Sequence, residues 1–250
     1  MEGSIGRVAR VTIVAAVTIG QAPRPDLLEP LLERVDPRRV EVRLYGALDD
    51  VALDTLPAGS IGELPGPAGA PSGPSAAVPG DGPAAGACPL TTRLRDGRRV
   101  TLDESFLVRY VQAAVGRAEA DGAVATLLLC AGGFATVEAA RPLVRPFELA
   151  IATLRSLGLP DVAVAVPYEA QVRPAERKYL EAGLVPVVRA SALRDVPDVF
   201  RREIAGRAVG AVVLDYVGHP LEAVDELRPV LPCPLLDLGD LAAATLSTWV

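Results

Sequence analysis

Residues 123–134 read Ala-Val-Ala-Thr-Leu-Leu-Leu-Cys-Ala-Gly-Gly-Phe, and this stretch decides the fold. Ala123–Leu129 is an apolar run of strand length, bounded by Gly122 on one side and by Gly132-Gly133 on the other, the pattern of a strand buried on both faces. Upstream, Asp103–Ala120 has helical periodicity with Asp103 as a plausible N-cap, and downstream Leu143–Leu157 reads as a second helix. The alternation continues in both directions. Further strands are expected at Val11–Ile19, Val40–Tyr45, Val162–Val166, Val185–Val188, Ala211–Leu214 and Pro234–Leu236. Helices are expected at Asp26–Val35, Val172–Ala182, Pro197–Gly206, Leu221–Val230 and Gly239–Trp249. Gly122, Gly158, Gly183 and Gly206 fall where helices should stop. Strands alternating with helices specify an α/β fold of mainly parallel sheets with crossover helices.

The 250 residues allow one large domain or two small lobes, and half of them are apolar, enough for a packed core. A formal charge of −6, with both signs interspersed, leaves no basic stripe to track a phosphate backbone, so no nucleic acid is expected as a partner. No run approaches the roughly 18 apolar residues of a membrane span, and no membrane association is expected. Arg7 and Arg10 before Val11–Ile19 also fit a short secretory signal core. The buried-strand reading is preferred, because a turn and a helix start follow at once with no small-x-small cleavage site between. Cys88, Cys130 and Cys233 are odd in number and widely spaced, which fits reduced thiols in the cytoplasm.

Two parts of the chain stand outside the alternation. Leu56–Pro89 consists mostly of Pro, Gly, Ala and Ser and is expected to be a disordered insertion, which discounts Cys88 as a functional residue. Immediately after it, Leu90–Leu94 and Arg99–Leu102 flank Asp96-Gly97, the signal of a β-hairpin arm at the edge of the first lobe.

Absences narrow the chemistry. There is no Gly-Lys-Ser/Thr phosphate loop, no Cys-x-x-Cys, and too few histidines for a His-Glu-x-x-His zinc site, since His219 is the only one. Lys178, the only lysine, lies on the polar side of the amphipathic stretch Ala175–Ala182 and reads as a solvated surface residue rather than a Schiff-base lysine.

In open α/β sheets ligands bind beyond the carboxyl ends of the strands. Four junctions there carry chemistry. At Thr18-Ile19-Gly20-Gln21-Ala22-Pro23-Arg24-Pro25-Asp26, a helix N-terminus and Arg24 favour an anion; a structural turn with Arg24 in solvent is the alternative. At Cys130-Ala131-Gly132-Gly133, backbone N–H groups could stabilise a thiolate and lower its pKa; a small buried hydrophobe is the alternative. Asp215-Tyr216-Val217-Gly218-His219 brings a carboxylate, a phenol and the only imidazole into one turn, unless Asp215 or His219 merely caps a helix. Tyr168-Glu169-Ala170-Gln171 supplies polar groups that line the same cleft or cap a helix.

At these junctions the sequence resembles the AroM family, itself similar to the aspartate/glutamate/hydantoin racemase superfamily. The stretches carrying the resemblance are residues 18–26, Gly46-Ala47-Leu48-Asp49, residues 128–134 and residues 213–218. It implies two pseudo-symmetric lobes, residues 1–140 with the insertion at 56–89 and residues 141–250, the last helix being a candidate to return to the first lobe. The active site lies between them, and folds of this kind often form homodimers. In the racemases two cysteines flank the substrate's α-carbon and no cofactor is used. Cys130 matches the first; the second, usually cysteine in the AroM-like pattern as well, is Tyr216 here, and His219 replaces an expected aromatic residue.

A phenol with a pKa near 10 is a poor base at neutral pH, so a symmetric two-thiol mechanism is excluded. Three readings remain: an unequal Cys130/Tyr216 pair for racemisation or isomerisation, with His219 assisting the phenol; Cys130 acting alone, as in single-cysteine decarboxylases and isomerases; or a cleft that binds small acids without catalysis. The preferred expectation is a cofactor-independent enzyme acting at an acidic carbon next to a carboxylate or carbonyl. Cys130, Tyr216, His219 and Asp215 are its catalytic candidates. Thr18, Gly20, Gln21, Arg24, Gly132, Gly133, Glu169, Gln171 and Gly218 are the candidates for holding substrate, with Gln21 and Arg24 as the anion-binding loop.

Overall fold

The computed structural model describes residues 12–62, 88–205 and 209–248. Two four-stranded parallel sheets organise them. The first contains β1 (Thr12–Thr18), β2 (Val40–Gly46), β5 (Ala125–Leu128) and β6 (Leu143–Val144), in the order β2-β1-β5-β6. The second contains β7 (Asp161–Val166), β8 (Val185–Ala190), β9 (Ala211–Leu214) and β10 (Leu235–Asp237), in the order β8-β7-β9-β10. Counted along the chain, both orders are second-first-third-fourth, so the two halves repeat one topology. Between them in sequence, β3 (Pro89–Arg93) and β4 (Arg99–Asp103) form an antiparallel hairpin turned at Asp96-Gly97, Gly97 having φ +86°.

Among the described residues seven α-helices cover the sheets: α1 (Pro25–Leu32), α2 (Glu104–Ala120), α3 (Pro146–Ser156), α4 (Val172–Glu181), α5 (Val196–Ile204), α6 (Leu221–Leu227) and α7 (Leu238–Ser247). β7 separates its faces by simple alternation. Val162, Val164 and Val166 meet Phe147, Ile151 and Leu154 of α3 and Tyr179 of α4, while Ala163 and Ala165 meet Phe200 of α5 and Val224 of α6. Asp103 caps α2 through the Ser105 N–H at 2.9 Å. Gly122, Gly158 and Gly183 follow their helices at positive φ, the left-handed conformation that lets a chain leave a helix without strain. α7 returns to the first sheet, where Ala242, Ala243 and Leu246 pack with Leu27, Leu31, Val14 and Ala125.

Several sequence expectations change. Leu143–Leu157 is not one helix: Leu143-Val144 form the edge strand β6, and Pro146 starts the helix because proline suits its first turn and keeps the preceding residue extended. Both ends of the expected disordered insertion are ordered. Ser60–Gly62 adds to the outer edge of β4, the Thr101 N–H donating to Ser60 O and the Gly62 N–H to Arg99 O, both at 2.8 Å, and Leu56 is buried in the core. Cys88, expected in a disordered segment, is instead half-buried against the same core, its N–H donating to the Asp103 carboxylate at 2.8 Å. Residues 63–87, Val11, Gly206 and Trp249 lie outside the described residues. Among the described residues no helix is long and apolar enough to cross a membrane.

Candidate functional site

The carboxyl ends of both sheets open onto one cleft of about 390 Å³, within the size range of small-molecule sites. Cys130 enters it two residues after β5, and Tyr216 two residues after β9. β5 and β9 are the third strands of their halves, so the thiol and the phenol occupy equivalent topological positions on either side of the cleft. The third side is the β3–β4 hairpin arm, which contributes Leu90 to Arg93 and Arg99 and is therefore also a wall of the site.

Cys130 is 6 % exposed, and burial pushes its thiol up to about 12, because a thiolate there would lose its hydration. The Gly132 N–H donates to Sγ at 3.3 Å, and Lys178 also favours the thiolate, but the Glu104 carboxylate opposes them. The expected lowering of the Cys130 pKa is thus reversed: one weak N–H donor does not offset the loss of solvent. Glu104 has a structural task close by, its two carboxylate oxygens accepting from the Gly133 and Phe134 N–H groups at 3.1 and 2.8 Å and fixing the turn after the thiol. Gly132 is required sterically, since a Cβ there would stand 2.7 Å from the Phe134 ring and 2.9 Å from Leu90 of the hairpin.

On the opposite wall, Tyr216 is also held protonated, its pKa raised first by burial and then by the negative charge of Asp237. His219 does not face the cleft. Its ring packs edge-on against Tyr216, centroids 3.8 Å apart, and its Nδ1 lies 2.5 Å from Asp237, which also caps α7 through the Asp240 N–H. It buttresses the Tyr216 ring, with no hydrogen bond to the phenol among the described residues. Asp215 reaches the cleft but is occupied by Lys178 Nζ at 2.8 and 3.0 Å and by the Tyr179 hydroxyl at 3.1 Å. Burial raises the Asp215 pKa, with Lys178 pulling it down.

Lys178 is therefore no solvated surface residue. Its ammonium also donates to Ala131 O at 2.9 Å and lies 4.3 Å from the centre of the Phe147 ring, tying the Cys130 turn to the Asp215 turn across the two halves. The helical pattern put it on the polar face correctly; that this face meets the other half is a tertiary fact.

The loop after β1 is a socket for the hairpin. Gln21 uses its amide internally, Nε2 donating to Leu48 O at 3.0 Å and Oε1 accepting from the Arg95 N–H at 2.9 Å, so it is not free to bind an anion and does not line the cleft. Thr18 is fully buried and accepts from the Gly20 N–H; Gly20 lies so close beneath the hairpin that a Cβ would stand 2.4 Å from Arg93 O. Arg24 does line the cleft, but it forms a two-pronged ion pair with Asp26 at 2.7 Å and donates to Thr92 Oγ1 at 2.9 Å, so its charge is already matched. The expected Gln21–Arg24 anion loop is replaced by this docking contact.

Of the remaining candidates, Gly218 lines the cleft at φ +94°, pressed so close to Leu27 that a Cβ would stand 2.6 Å from its Cδ2. Gln171 lines the cleft and donates to Pro89 O at 3.4 Å. Glu169 is exposed and turned away, in the single helical turn before α4. Arg93 and Arg99 line the cleft and were missed; their register across the predicted hairpin was the available signal.

Comparison with known proteins follows this geometry. The chain overlays on a liganded double mutant of arylmalonate decarboxylase with a TM-score of 0.59 at 14 % identity, covering 96 % of this chain and 92 % of that one. Maleate isomerase from Pseudomonas putida S16 gives 0.56 at 14 % identity, over 96 % and 93 %. Aspartate racemase from Picrophilus torridus gives 0.52 at 12 % identity, over 95 % and 94 %. At such identities the likeness is one of fold, the racemase-like arrangement of parallel sheets flanked by helices. No curated protein matches the chain in sequence. The family model described as AroM protein matches residues 14–61 and 76–247, nearly all of the sequence, and the chain therefore belongs to the AroM family.

Proposed function

We propose that the chain is a cofactor-independent enzyme that delivers a proton to an acidic carbon next to a carboxylate or carbonyl, with Cys130 as the donor and Tyr216 as the opposing acid. One observation carries this reading: a thiol and a phenol at equivalent strand ends face a single cleft, and burial keeps both protonated.

That ionisation favours one of the reactions open to such a cleft. Two-base racemisation must begin with a base already formed, and neither group is one in the empty cleft. Decarboxylation of an activated acid needs no base. The bond to one carboxylate breaks, carbon dioxide leaves, and the electron pair stays on the α-carbon as an enolate. The Cys130 S–H then protonates that carbon, and the thiolate recovers a proton from water. The names of the neighbouring folds, a decarboxylase, an isomerase and a racemase, are consistent with chemistry at such a carbon. Racemisation or isomerisation by an unequal pair remains the second reading, favoured by the opposed placement of the two groups and requiring a substrate that draws the thiol proton away on binding.

The test is incubation in D₂O with panels of amino acids, hydantoins and substituted malonates. Deuterium at the α-carbon accompanied by carbon dioxide release, both lost in Cys130→Ser, is the expected result. Deuterium without carbon dioxide selects the second reading. No incorporation with any compound, or incorporation that survives Cys130→Ser, overturns the role of the thiol and leaves a cleft that only binds small acids.

A further inference from the structure

The charges around the cleft do not balance. Arg24 is matched by Asp26, and Asp215 by Lys178. Arg93 and Arg99 remain, both on the hairpin wall. Among the described residues neither guanidinium has an ion pair or a hydrogen bond: the charge of Arg93 is felt by Asp26, which Arg24 already holds in contact, and Arg99 lies over the Tyr168 ring, 5.4 Å from its centre. In a chain of net charge −6, two arginines in one cleft that no carboxylate touches are unexpected.

Their register makes the placement unfavourable in the empty protein. Arg93 and Arg99 are direct cross-strand partners. The Leu94 N–H donates across the hairpin to Arg98 O, whereas Arg99 O points outward to the Gly62 N–H. Arg93/Arg99 is therefore a non-hydrogen-bonded pair, in which the side chains of an antiparallel ladder come closest, with Cβ atoms about 4.5–5.5 Å apart. The next such pair, Thr91/Thr101, has its hydroxyls 3.0 Å apart. Like charges directly opposite destabilise a hairpin, and an anion between them reverses the sign. The mount holding them is rigid: Gln21 N–H donates to Arg93 O, Arg24 to Thr92, and Leu90 lies over Gly132 beside the thiol.

We propose that Arg93 and Arg99 form an anion clamp that grips a second anionic group of the cleft's ligand, and so select dianionic acids over monoanionic ones. The inference rests on the reading of the cleft as a small-acid site, which it deepens. Paired guanidinium forks suit a carboxylate or a phosphoryl group equally, so the shared chemistry is a compact oxyanion.

Binding is measured by calorimetry on the full chain carrying Cys130→Ser, so that no chemistry intervenes, with phenylmalonate, phosphonoacetate and phenylacetate as probes. A dianion should bind at least about tenfold tighter than phenylacetate, the worth of one charge-assisted hydrogen bond. Adding Arg93→Gln or Arg99→Gln should weaken the dianion about 10- to 100-fold and leave phenylacetate within about twofold. Whether phenylmalonate or phosphonoacetate binds tighter identifies the group the clamp prefers. Both arginines project from a hairpin surface, and removing either relieves repulsion, so the ligand-free melting temperature should rise by about 1–2 °C at low salt. Equal affinity for mono- and dianion, dianion affinity indifferent to both substitutions, or no dianion binding in the millimolar range overturns the clamp. Arginine-dependent binding without any Cys130-dependent deuterium incorporation would sustain the clamp and sink the enzyme; Cys130-dependent incorporation indifferent to the arginines would do the reverse.

Discussion

The protonation of Cys130 can be read directly as a rate. A thiol moved from 9.0 to about 12 has about a thousandth of the thiolate at any pH well below 9, and thiolate is the species that alkylates. A more basic thiolate is intrinsically more nucleophilic, which over three pKa units returns a factor of roughly 15 to 30. The net slowing relative to the unfolded chain is then roughly 30- to 60-fold, before the poor access of a nearly buried sulfur is counted. Cys88, pushed up to about 11, should be slowed roughly 10- to 15-fold by the same reckoning. Iodoacetamide labelling resolved by peptide mass spectrometry, in native and urea-unfolded protein from pH 7 to 10.5, measures all three cysteines at once. Labelling of Cys130 should still be rising at the upper limit, while the unfolded chain levels off near pH 9. A native Cys130 rate within about threefold of the unfolded one at pH 7, or a plateau below pH 9, would mean a stabilised thiolate, and the thiol would then be a base or nucleophile instead of a proton donor.

Two further outcomes follow from the packing. Gly20→Ala should destabilise the protein by about 1–3 kcal/mol in urea denaturation, because its Cβ meets a backbone carbonyl of the docked hairpin that cannot swing aside; a change below about 0.5 kcal/mol would show that the hairpin is not seated there. Lys178→Met should cost about 3–5 kcal/mol at pH 8 by leaving Asp215 without its cation. The Asp215 pKa is already raised in the folded state, so the stability linked to its protonated form is present at acid pH and lost as pH rises through the folded value. Removing Lys178 raises that value further, so the deficit should shrink between pH 8 and pH 5 in melting experiments; a deficit independent of pH would refute the pairing.

The parts of this molecule legible in the sequence are those written locally. The run 123–129 ending at glycines gave a strand end and put Cys130 beside it, and Asp96-Gly97 gave the hairpin with its register. Helix stops at Gly122, Gly158 and Gly183 follow from the one conformation that glycine tolerates best. What escaped reading depends on which surfaces meet. Arg24 looked like an anion binder because its partner Asp26, two residues on, is also the acidic first turn of a helix, and nothing local says that the two close on each other. Gln21 looked available because the hairpin that claims its amide is more than seventy residues away. Lys178 sat on a polar helical face, as expected, yet that face is buried against the other half. The ionisation of Cys130 differs from expectation for the same reason: a nearby N–H is visible in the sequence, whereas the depth of burial is set by Leu90 and other members of its core cluster drawn from distant segments.

The return of α7 to the first sheet bears on how the polypeptide matures. Ala242, Ala243 and Leu246 complete an apolar surface begun by Val14, Leu27, Leu31 and Ala125. Arg34 pairs with Asp240 across the same contact. A ribosome that has finished β1 to β6 has thus produced a sheet with one greasy side uncovered, which must wait for residues 238–247 before water is fully expelled. The amino-terminal portion is consequently the part most exposed to premature association during synthesis, and a truncation ahead of α7 would harm that distant portion as much as the segment it removes.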